Sequence, residues 1–386
     1  MDNLIVHSAM DVSKNEIVVT SNKYDEIKFL LPYEALPQLS CHDFSLWAIL
    51  PLAMKNGDHI ETYAPISKRT YESLKKVADV WHFWLPNFYK KVKITAHNIV
   101  QSDKLMIEDR GLMCFSGGLD STYSTFKLKQ EKIKNIDCLS VHGMDYKFKD
   151  NSKFEELINK TKEIRNSLFS VSHFVKTNIY AVYNQNKCNP SYTHITHIFS
   201  LFACLSIFEG YSRYLIAADD RLDQQFFTHP YGSNSASNKL MENSSGNLIT
   251  LDDDVTRFEK TLYLVNNNFD LNSLSVCGDA KARPYNCGVC VKCLRTKSML
   301  FSILDYIPDI FVNNELNEDW FEKIDLNDFN NQMYIYDTLN FLESKNKHDN
   351  FPGYKNLKVK LNKALISRES SKLRNYSKLE LFKAFF

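Results

Sequence analysis

From Gly111 onward, short unbroken apolar runs alternate with longer stretches whose apolar residues recur every three or four positions. Leu112-Met113-Cys114-Phe115 is the kind of run a strand shows when both its faces are covered. It leads into a helical segment with Leu119, Tyr123 and Phe126 on one side. Ile136 to Val141 predicts a second strand, ending at His142-Gly143. Residues 152 to 168 predict a helix, with Phe154, Leu157, Ile158, Thr161, Ile164 and Leu168 spaced by three and four. Phe174-Val175 opens a third strand. His194 to Phe208 is apolar nearly all round and predicts a buried helix. Tyr214 to Ala218 is a fourth strand, closed by Asp219-Asp220. Such β-α-β-α-β-α-β alternation predicts an α/β fold, an open parallel sheet with helices on both faces and right-handed crossovers.

The flanks have other patterns. Residues 1 to 105 read as an accessory mixed α/β region. Its last strand runs from Lys91 to His97, where Val92, Ile94 and Ala96 alternate with Lys93 and Thr95. The aromatic stretch Trp81-His82-Phe83-Trp84-Leu85-Pro86 reads as a packing anchor ahead of a ligand platform. Residues 219 to 250, rich in Ser, Asn and Gly, predict a long irregular connection serving as a lid or substrate loop. Residues 255 to 267 read as helical, and Leu274 to Cys277 as a short strand. Beyond residue 294 the chain reads as helical, with an acidic segment at 315 to 328. From Lys355 to Phe386 it carries nine Lys and Arg against two Glu, with Leu357, Leu361 and Leu365 on one helix face. That tail reads as a solvated helix packed on the core or as a contact for an anionic partner. The organisation expected is thus 1–105, then a catalytic domain over 106–305, then a helical extension over 306–386.

Composition narrows the function classes. The chain has 386 residues, is 44% hydrophobic and has a formal net charge of +1. It has apolar mass for a sizeable core, and its balance argues against coating nucleic acid by bulk charge, although a nucleic-acid partner stays open. No run of eighteen apolar residues suggests a membrane span, and the first residues lack the pattern of a signal peptide. A cytoplasmic location is expected. In a reducing compartment, the four cysteines Cys277, Cys287, Cys290 and Cys293 suggest metal before disulfides.

Ser116-Gly117-Gly118-Leu119-Asp120-Ser121 joins the first buried strand to its helix. A helix start leaves N–H groups without partners at the positive end of the macrodipole. Two adjacent glycines let the backbone curl around an anion, and Ser116 and Ser121 add hydroxyl donors. Asp120 suits such a site if Mg²⁺ lies between it and the phosphate oxygens. The segment predicts binding of the triphosphate of a nucleotide. It is neither the GxxxxGK[ST] loop nor GxGxxG. It resembles the S-G-G-x-D-S loop of the PP-loop ATP pyrophosphatases, over about residues 110 to 300. What the resemblance implies is ATP bound by Ser116 to Ser121, attack on its α-phosphate, release of pyrophosphate, and displacement of AMP by a nucleophile. By position it also implies that His142-Gly143 lies beside adenine, with a satisfied core histidine as the other reading of His142.

Cys287-Gly288-Val289-Cys290-Val291-Lys292-Cys293 has CxxCxxC spacing, with Cys277 ten residues earlier. Four thiolates complete a tetrahedral site with nothing left open for catalysis, so structural Zn²⁺ is expected and an iron–sulfur cluster is the alternative. Together with the loop, this knuckle and its Leu294-Arg295 resemble the 7-cyano-7-deazaguanine synthase (QueC) branch of the PP-loop family. That resemblance implies a ligase that uses ATP to join 7-carboxy-7-deazaguanine, or a related deazapurine carboxylate, to ammonia or an amine. The chain departs from the branch at Asn189-Pro190-Ser191-Tyr192, at the offset of Arg295, and in its two flanking regions. It therefore resembles a paralogue. Some of these lie in bacterial antiviral defence islands beside genes for protein partners.

The remaining candidates are positional. Asp219 and Asp220 end the fourth strand at the edge where open sheets bind ligands. Tyr231-Gly232-Ser233-Asn234 has the groups to read a heterocycle by stacking and hydrogen bonding. Arg257 and Lys260, three apart on one helix, are candidates to neutralise the carboxylate and phosphates alongside the catalytic Asp120 and Ser121. His194 and His197, three apart on an apolar helix, read as core histidines ahead of a proton shuttle. A tRNA thiolase-like enzyme and a catalytically degenerate nucleotide-binding scaffold are the competing functions. An amidotransferase with its own glutaminase is disfavoured, because residue 2 is Asp and not Cys.

Overall fold

In the computed structural model, which describes residues 3–101 and 109–367, five strands precede Gly111 and five follow it. The first are β1 (Asn3–Asp11), β2 (Glu16–Ser21), β3 (Ile27–Leu30), β4 (His59–Ser67) and β5 (Lys93–Val100). The second are β6 (Gly111–Cys114), β7 (Ile136–His142), β8 (Ser172–Thr177), β9 (Arg213–Ala217) and β10 (Asn247–Leu251). All ten form one sheet in the order β10-β9-β6-β7-β8-β3-β2-β1-β4-β5. The expected parallel sheet is present in β10-β9-β6-β7-β8. The sheet as a whole is mixed, because β1, β2, β3 and β8 pair antiparallel in succession. Residues 12–15 between β1 and β2 form a short turn, and a connection that short joins only antiparallel neighbours. By packing, the chain divides once, into a unit ending at Thr256 and a unit beginning at Arg257.

In the first unit the helices are α1 (Asp43–Asn56), α2 (Lys68–Trp84), α3 (Leu119–Gln130), α4 (Asn151–Lys160), α5 (Lys162–Leu168), α6 (Ile179–Gln185), α7 (Thr196–Leu205), α8 (Leu222–Thr228) and α9 (Ser235–Asn238). Leu112, Leu139, Val175 and Ile216 pack into one core with apolar residues of α1, α2, α6 and α7. Met113, the residue after Leu112, points the other way, and its sulfur accepts from Thr125 Oγ1 of α3 at 3.5 Å. Helices therefore cover both faces of the parallel part, as its unbroken apolar runs require. The aromatic stretch is the packing anchor expected. Trp81 is buried, its ring 5.0 Å from Trp84 and 6.4 Å from Phe199 of α7.

Two elements differ from the expectation. The helix read over 152 to 168 is broken at Thr161 into α4 and α5; there the Thr161 hydroxyl donates to the Leu157 carbonyl and accepts from Arg165 Nε. The connection 219 to 250 is not irregular throughout, since it contains α8, α9 and β10. Asn247–Leu251 pairs in register with Arg213–Ala217, and the strand went unread because it lies in a polar, Ser- and Asn-rich context.

A polar chain centred on the buried Asp137 ties the amino ends of the central strands together. Asp137 at the start of β7 accepts from Arg110 Nη2 at 2.5 Å, Tyr211 OH at 2.7 Å and the Val171 N–H at 2.9 Å. Tyr211 meets His173 at 2.9 Å, and His173 meets Glu34 beyond β3 at 2.6 Å. Asp137 is fully buried. Replacing it with alanine leaves Arg110, Tyr211 and an amide without their shared acceptor, so a loss of about 3–5 kcal/mol is expected. Urea denaturation of the Asp137→Ala variant checks this, and a midpoint equal to wild type would contradict it.

The second unit contains α10 (Arg257–Asn266), α11 (Val291–Leu304), α12 (Phe329–Ser344) and a helix over residues 354–367. Its core joins Leu294, Phe321, Ile335, Leu339, Phe351, Leu357 and Leu361, with Leu365 partly buried against it. The expected apolar face of the last helix is therefore a packing face. The rest of the basic tail, 368–386, lies outside the described residues. No strand forms at Leu274 to Cys277. There the Asn286 side chain takes the main-chain bonds, accepting from the Val276 N–H at 2.8 Å and donating to the Leu274 carbonyl at 3.0 Å. Among the described residues, no helix is long and apolar enough to cross a membrane.

Candidate functional site

The sheet order makes one place in the first unit special. From β6 the chain proceeds to β7 and β8 on one side, and later to β9 and β10 on the other. Parallel strands with this order open a crevice beyond their carboxyl ends at the point of reversal. Ser116 to Ser121 occupies the carboxyl end of β6, at that point. Gly117 has φ +73°, a conformation that favours glycine, and Gly118 caps α3. The loop is braced internally. Ser116 Oγ accepts from the Gly118 N–H at 3.2 Å and lies 3.2 Å from Ser121 Oγ, which donates to the Gly118 carbonyl at 3.3 Å. Ser116 is exposed and Asp120 half-buried in the first turn of α3, while Leu119 points into the core and offers only its backbone.

A support beneath the loop was not read from the sequence. The Phe115 carbonyl, one residue before Ser116, accepts from Ser140 Oγ of β7. Ser140 in turn accepts from Arg165 Nη2 at 2.8 Å. The buried guanidinium lies 4.7 Å over the Phe115 ring and also bonds Cys138 Sγ at 3.4 Å. Nothing in the pattern of α5 marks Arg165 as interior, because helical charges are usually solvated.

His142 ends β7 and is buried, with its Nε2 2.8 Å from the Lys147 carbonyl and its ring stacked on Phe154 at 4.6 Å. Of its two readings, this geometry is that of the satisfied core histidine. Gly143 has φ +119°, and a Cβ there would sit 1.7 Å from the Thr177 carbonyl oxygen, so the glycine serves close passage past β8. Burial pushes the His142 imidazole below the usual histidine range, as it does for His42, His197 and His229. The folded state thus holds these rings neutral, whereas the unfolded chain takes up protons near pH ~6.5. Their stabilising contribution is complete above that pH and is lost as pH falls below it. The melting temperature is expected to fall between pH 7 and pH 5, with a shallower slope in His142→Gln; parallel slopes would sink the assignment.

The positional candidates after β9 come together in part. Asp219 accepts from Tyr231 OH at 3.1 Å. Asp220 is buried, and its backbone carbonyl accepts from Gln225 Nε2 at 3.0 Å. A Cβ on Gly232 would fall 2.5 Å from the His197 ring, which lies 2.8 Å from Ser233 through Nε2. Asn234 caps α9, its side-chain oxygen accepting from the Ala236 and Ser237 N–H groups, so that oxygen serves the fold. His194 is exposed and precedes α7, in contrast to the core position expected; His197 is half-buried in the helix's first turn.

Arg257 and Lys260 belong to the second unit. Lys260 is fully buried on α10, and the Arg257 guanidinium lies 4.9 Å over the Tyr334 ring, which Arg295 also approaches at 4.6 Å. The structure therefore gives Arg257 a ring partner within its own unit.

The four cysteines of that unit converge, their sulfurs all within 4.8 Å of one another. Cys277 and Cys290 are 3.8 Å apart and Cys287 and Cys293 3.9 Å. Zinc–sulfur bonds of about 2.3 Å place tetrahedral sulfurs about 3.8 Å apart, so the cluster can hold a metal ion such as zinc. Main-chain N–H groups point at the sulfurs, from Gly278 to Cys290 at 3.3 Å and from Cys290 to Cys287 at 3.3 Å. The Cys293 thiol and the N–H groups of Cys293 and Gly278 hold Cys290 well below the usual thiol range. Gly288 has φ +79°, and a Cβ there would meet the Asn313 carbonyl at 2.2 Å. Lys297, one turn beyond Cys293, is buried beside the cluster. Its ammonium donates to the Glu315 carbonyl at 2.7 Å and lies 5.0 Å over Trp320.

No family model matches the chain, and no curated protein or solved structure matches it either. What is established is an α/β protein with a ten-stranded, mostly parallel sheet and a four-cysteine cluster.

Proposed function

We propose that this chain is an ATP-dependent ligase of the PP-loop type, which adenylates a carboxylate and passes the acyl group to ammonia or an amine. The observation that carries the reading is the placement of Ser116-Gly117-Gly118-Leu119-Asp120-Ser121 at the carboxyl end of the strand where the parallel sheet reverses. The N–H groups of that turn and the two serine hydroxyls suit the oxygens of the β- and γ-phosphates. Asp120 is the residue to hold magnesium, which when bound offsets phosphate charge as pyrophosphate leaves. The carboxylate oxygen attacks the α-phosphorus, and the bond to pyrophosphate breaks. The acyl adenylate then loses AMP to the nitrogen nucleophile. The resemblance to 7-cyano-7-deazaguanine synthases suggests 7-carboxy-7-deazaguanine or a relative as the acid.

Zinc is the metal we assign to the cysteines. Their sulfurs, all within 4.8 Å of one another, suit a single ion, whereas in a four-iron cluster each cysteine binds a different iron on the outside and the sulfurs stand further apart. This favours the ligase over a tRNA thiolase that relies on an iron–sulfur centre. The test is mass spectrometry of protein incubated with ATP, Mg²⁺, 7-carboxy-7-deazaguanine and ammonium. AMP, pyrophosphate and an amide are expected. Products of ADP and phosphate, or no turnover, would overturn the reading.

A further inference from the structure

α7 leads into β9, so it runs back along the sheet, and its first turn lies at the carboxyl edge that carries the phosphate loop. His197 sits in that turn. Its Nε2 is 2.8 Å from Ser233 Oγ, and its ring centre is 5.1 Å from that of Tyr231, whose hydroxyl donates to Asp219 at 3.1 Å. Gly232 lets the loop backbone press on the imidazole, since any Cβ would collide with the ring. The ring is therefore held by a hydroxyl at one nitrogen and by main chain at its edge. Three charged groups act on it from neighbouring elements. Asp219, after β9, and Asp145, after β7, favour its charged form; His194 opposes it. In the sheet, β6 lies between β9 and β7. The loops that leave β9 and β7 flank the end of β6, where the phosphate loop turns.

We propose that His197, acting through Ser233, accepts the proton released when an amine attacks the acyl adenylate. This rests on the ligase reading and names a residue for its second step. The nitrogen forms a bond to the acyl carbon, and the carbon–oxygen bond to AMP breaks, its electron pair leaving with AMP. The surplus proton on nitrogen passes to Ser233 Oγ as the Ser233 hydroxyl proton passes to His197 Nε2. Asp219 and Asp145 stabilise the imidazolium until it returns its proton to water. Burial, the larger effect, keeps the resting ring neutral at pH 7 and so ready to accept.

The experiment separates the two steps. Wild type, His197→Gln and Ser233→Ala are given ATP, Mg²⁺ and 7-carboxy-7-deazaguanine. ATP–pyrophosphate exchange is measured without ammonium, and amide formation with it. Amide formation in His197→Gln is expected to drop ~10²–10⁴-fold, far more than exchange, with partial rescue by added imidazole. At constant free ammonia, the acidic limb of the wild-type pH profile should vanish in that variant. Ser233→Ala should show the same split and decides the matter if the glutamine variant does not fold. A ratio of amide formation to exchange equal to wild type in the folded variants would overturn the proton acceptor alone. Wild type without exchange would overturn the ligase reading, and this inference with it.

Discussion

Asp120→Ala is expected to abolish pyrophosphate release while leaving the first unit folded. The two halves of that expectation have separate grounds. Asp120 lies in the first turn of α3, beside the turn that carries Gly117 and Gly118. A carboxylate there gains from the helix dipole by only about 0.3–1 kcal/mol. Half-buried as it is, its truncation opens no cavity in the core, so the first unit should stay folded. Against phosphate alone a carboxylate would repel. Its presence in a loop of main-chain N–H groups and serine hydroxyls suits an anion only if a cation joins the two. Without it, the charge developing on the leaving pyrophosphate loses its counterion, a loss of about 10²–10³-fold or more. ATP–pyrophosphate exchange, with a melting curve on the same sample, checks both halves. Exchange at the wild-type rate in Asp120→Ala would remove the residue from the site.

How much of this was legible in the sequence depended on burial. Runs covered on both faces, such as Leu112 to Phe115 and Ile136 to Val141, are apolar without interruption, and both appeared as strands at the expected places. β10 did not, because Asn247-Leu248-Ile249-Thr250-Leu251 is an edge strand whose mixed residues resemble the loop around it. Of the first five strands only the last was read individually, as Lys91 to His97; the other four were read only as a mixed region. That they continue the same sheet depends on the pairing of Phe29 with Thr177 and Leu30 with Lys176, a long-range register that no local period encodes.

The site divides in the same way. Residues whose role lies in the backbone were legible, because glycine pairs and cysteine spacings state a geometry directly. Gly117, Gly118, Gly288 and the four cysteines belong to this group. Residues whose role lies in who approaches them were not. His197 reads first as a core histidine of an apolar helix, with a proton shuttle second, and only the fold brings Ser233 to its Nε2. Arg165 and Lys297 look like solvated helical charges. The first is buried under the residue preceding the phosphate loop, the second beside the cysteines. Asn234 shows the converse, a residue chosen for recognition that spends its side-chain oxygen on a helix cap.

The same contrast sets the largest stability effect in the second unit, which is expected from Cys290→Ser. Cys290 is both a member of the four-sulfur cluster and the N-cap of α11, the helix that delivers Cys293 to the cluster and Leu294 to the core. Asn286, just before Cys287, bonds Leu274 on one side and Ile310 on the other, so the knuckle also fastens the two loops that flank it. Without a metal, burial pushes the Cys277 thiol up and the Cys290 sulfur pushes that of Cys293 up, so both keep their protons and only weak thiol contacts join the sulfurs. Holding the knuckle closed therefore depends on the ion. Structural zinc contributes about 10–16 kcal/mol to the folding of isolated fingers. Here part of α11 has its own apolar packing, so a smaller loss is expected, ~3 kcal/mol or more, which lowers the melting temperature by roughly 10 °C. The sharper expectation concerns the pair of treatments. A strong chelator should lower the wild-type transition to that of Cys290→Ser and leave the variant's own transition unmoved, since both remove the same ion. Metal analysis should find one zinc per wild-type chain and none in the variant. Equal melting of metal-free and metal-bound wild type would show that the cysteines pack without needing an ion.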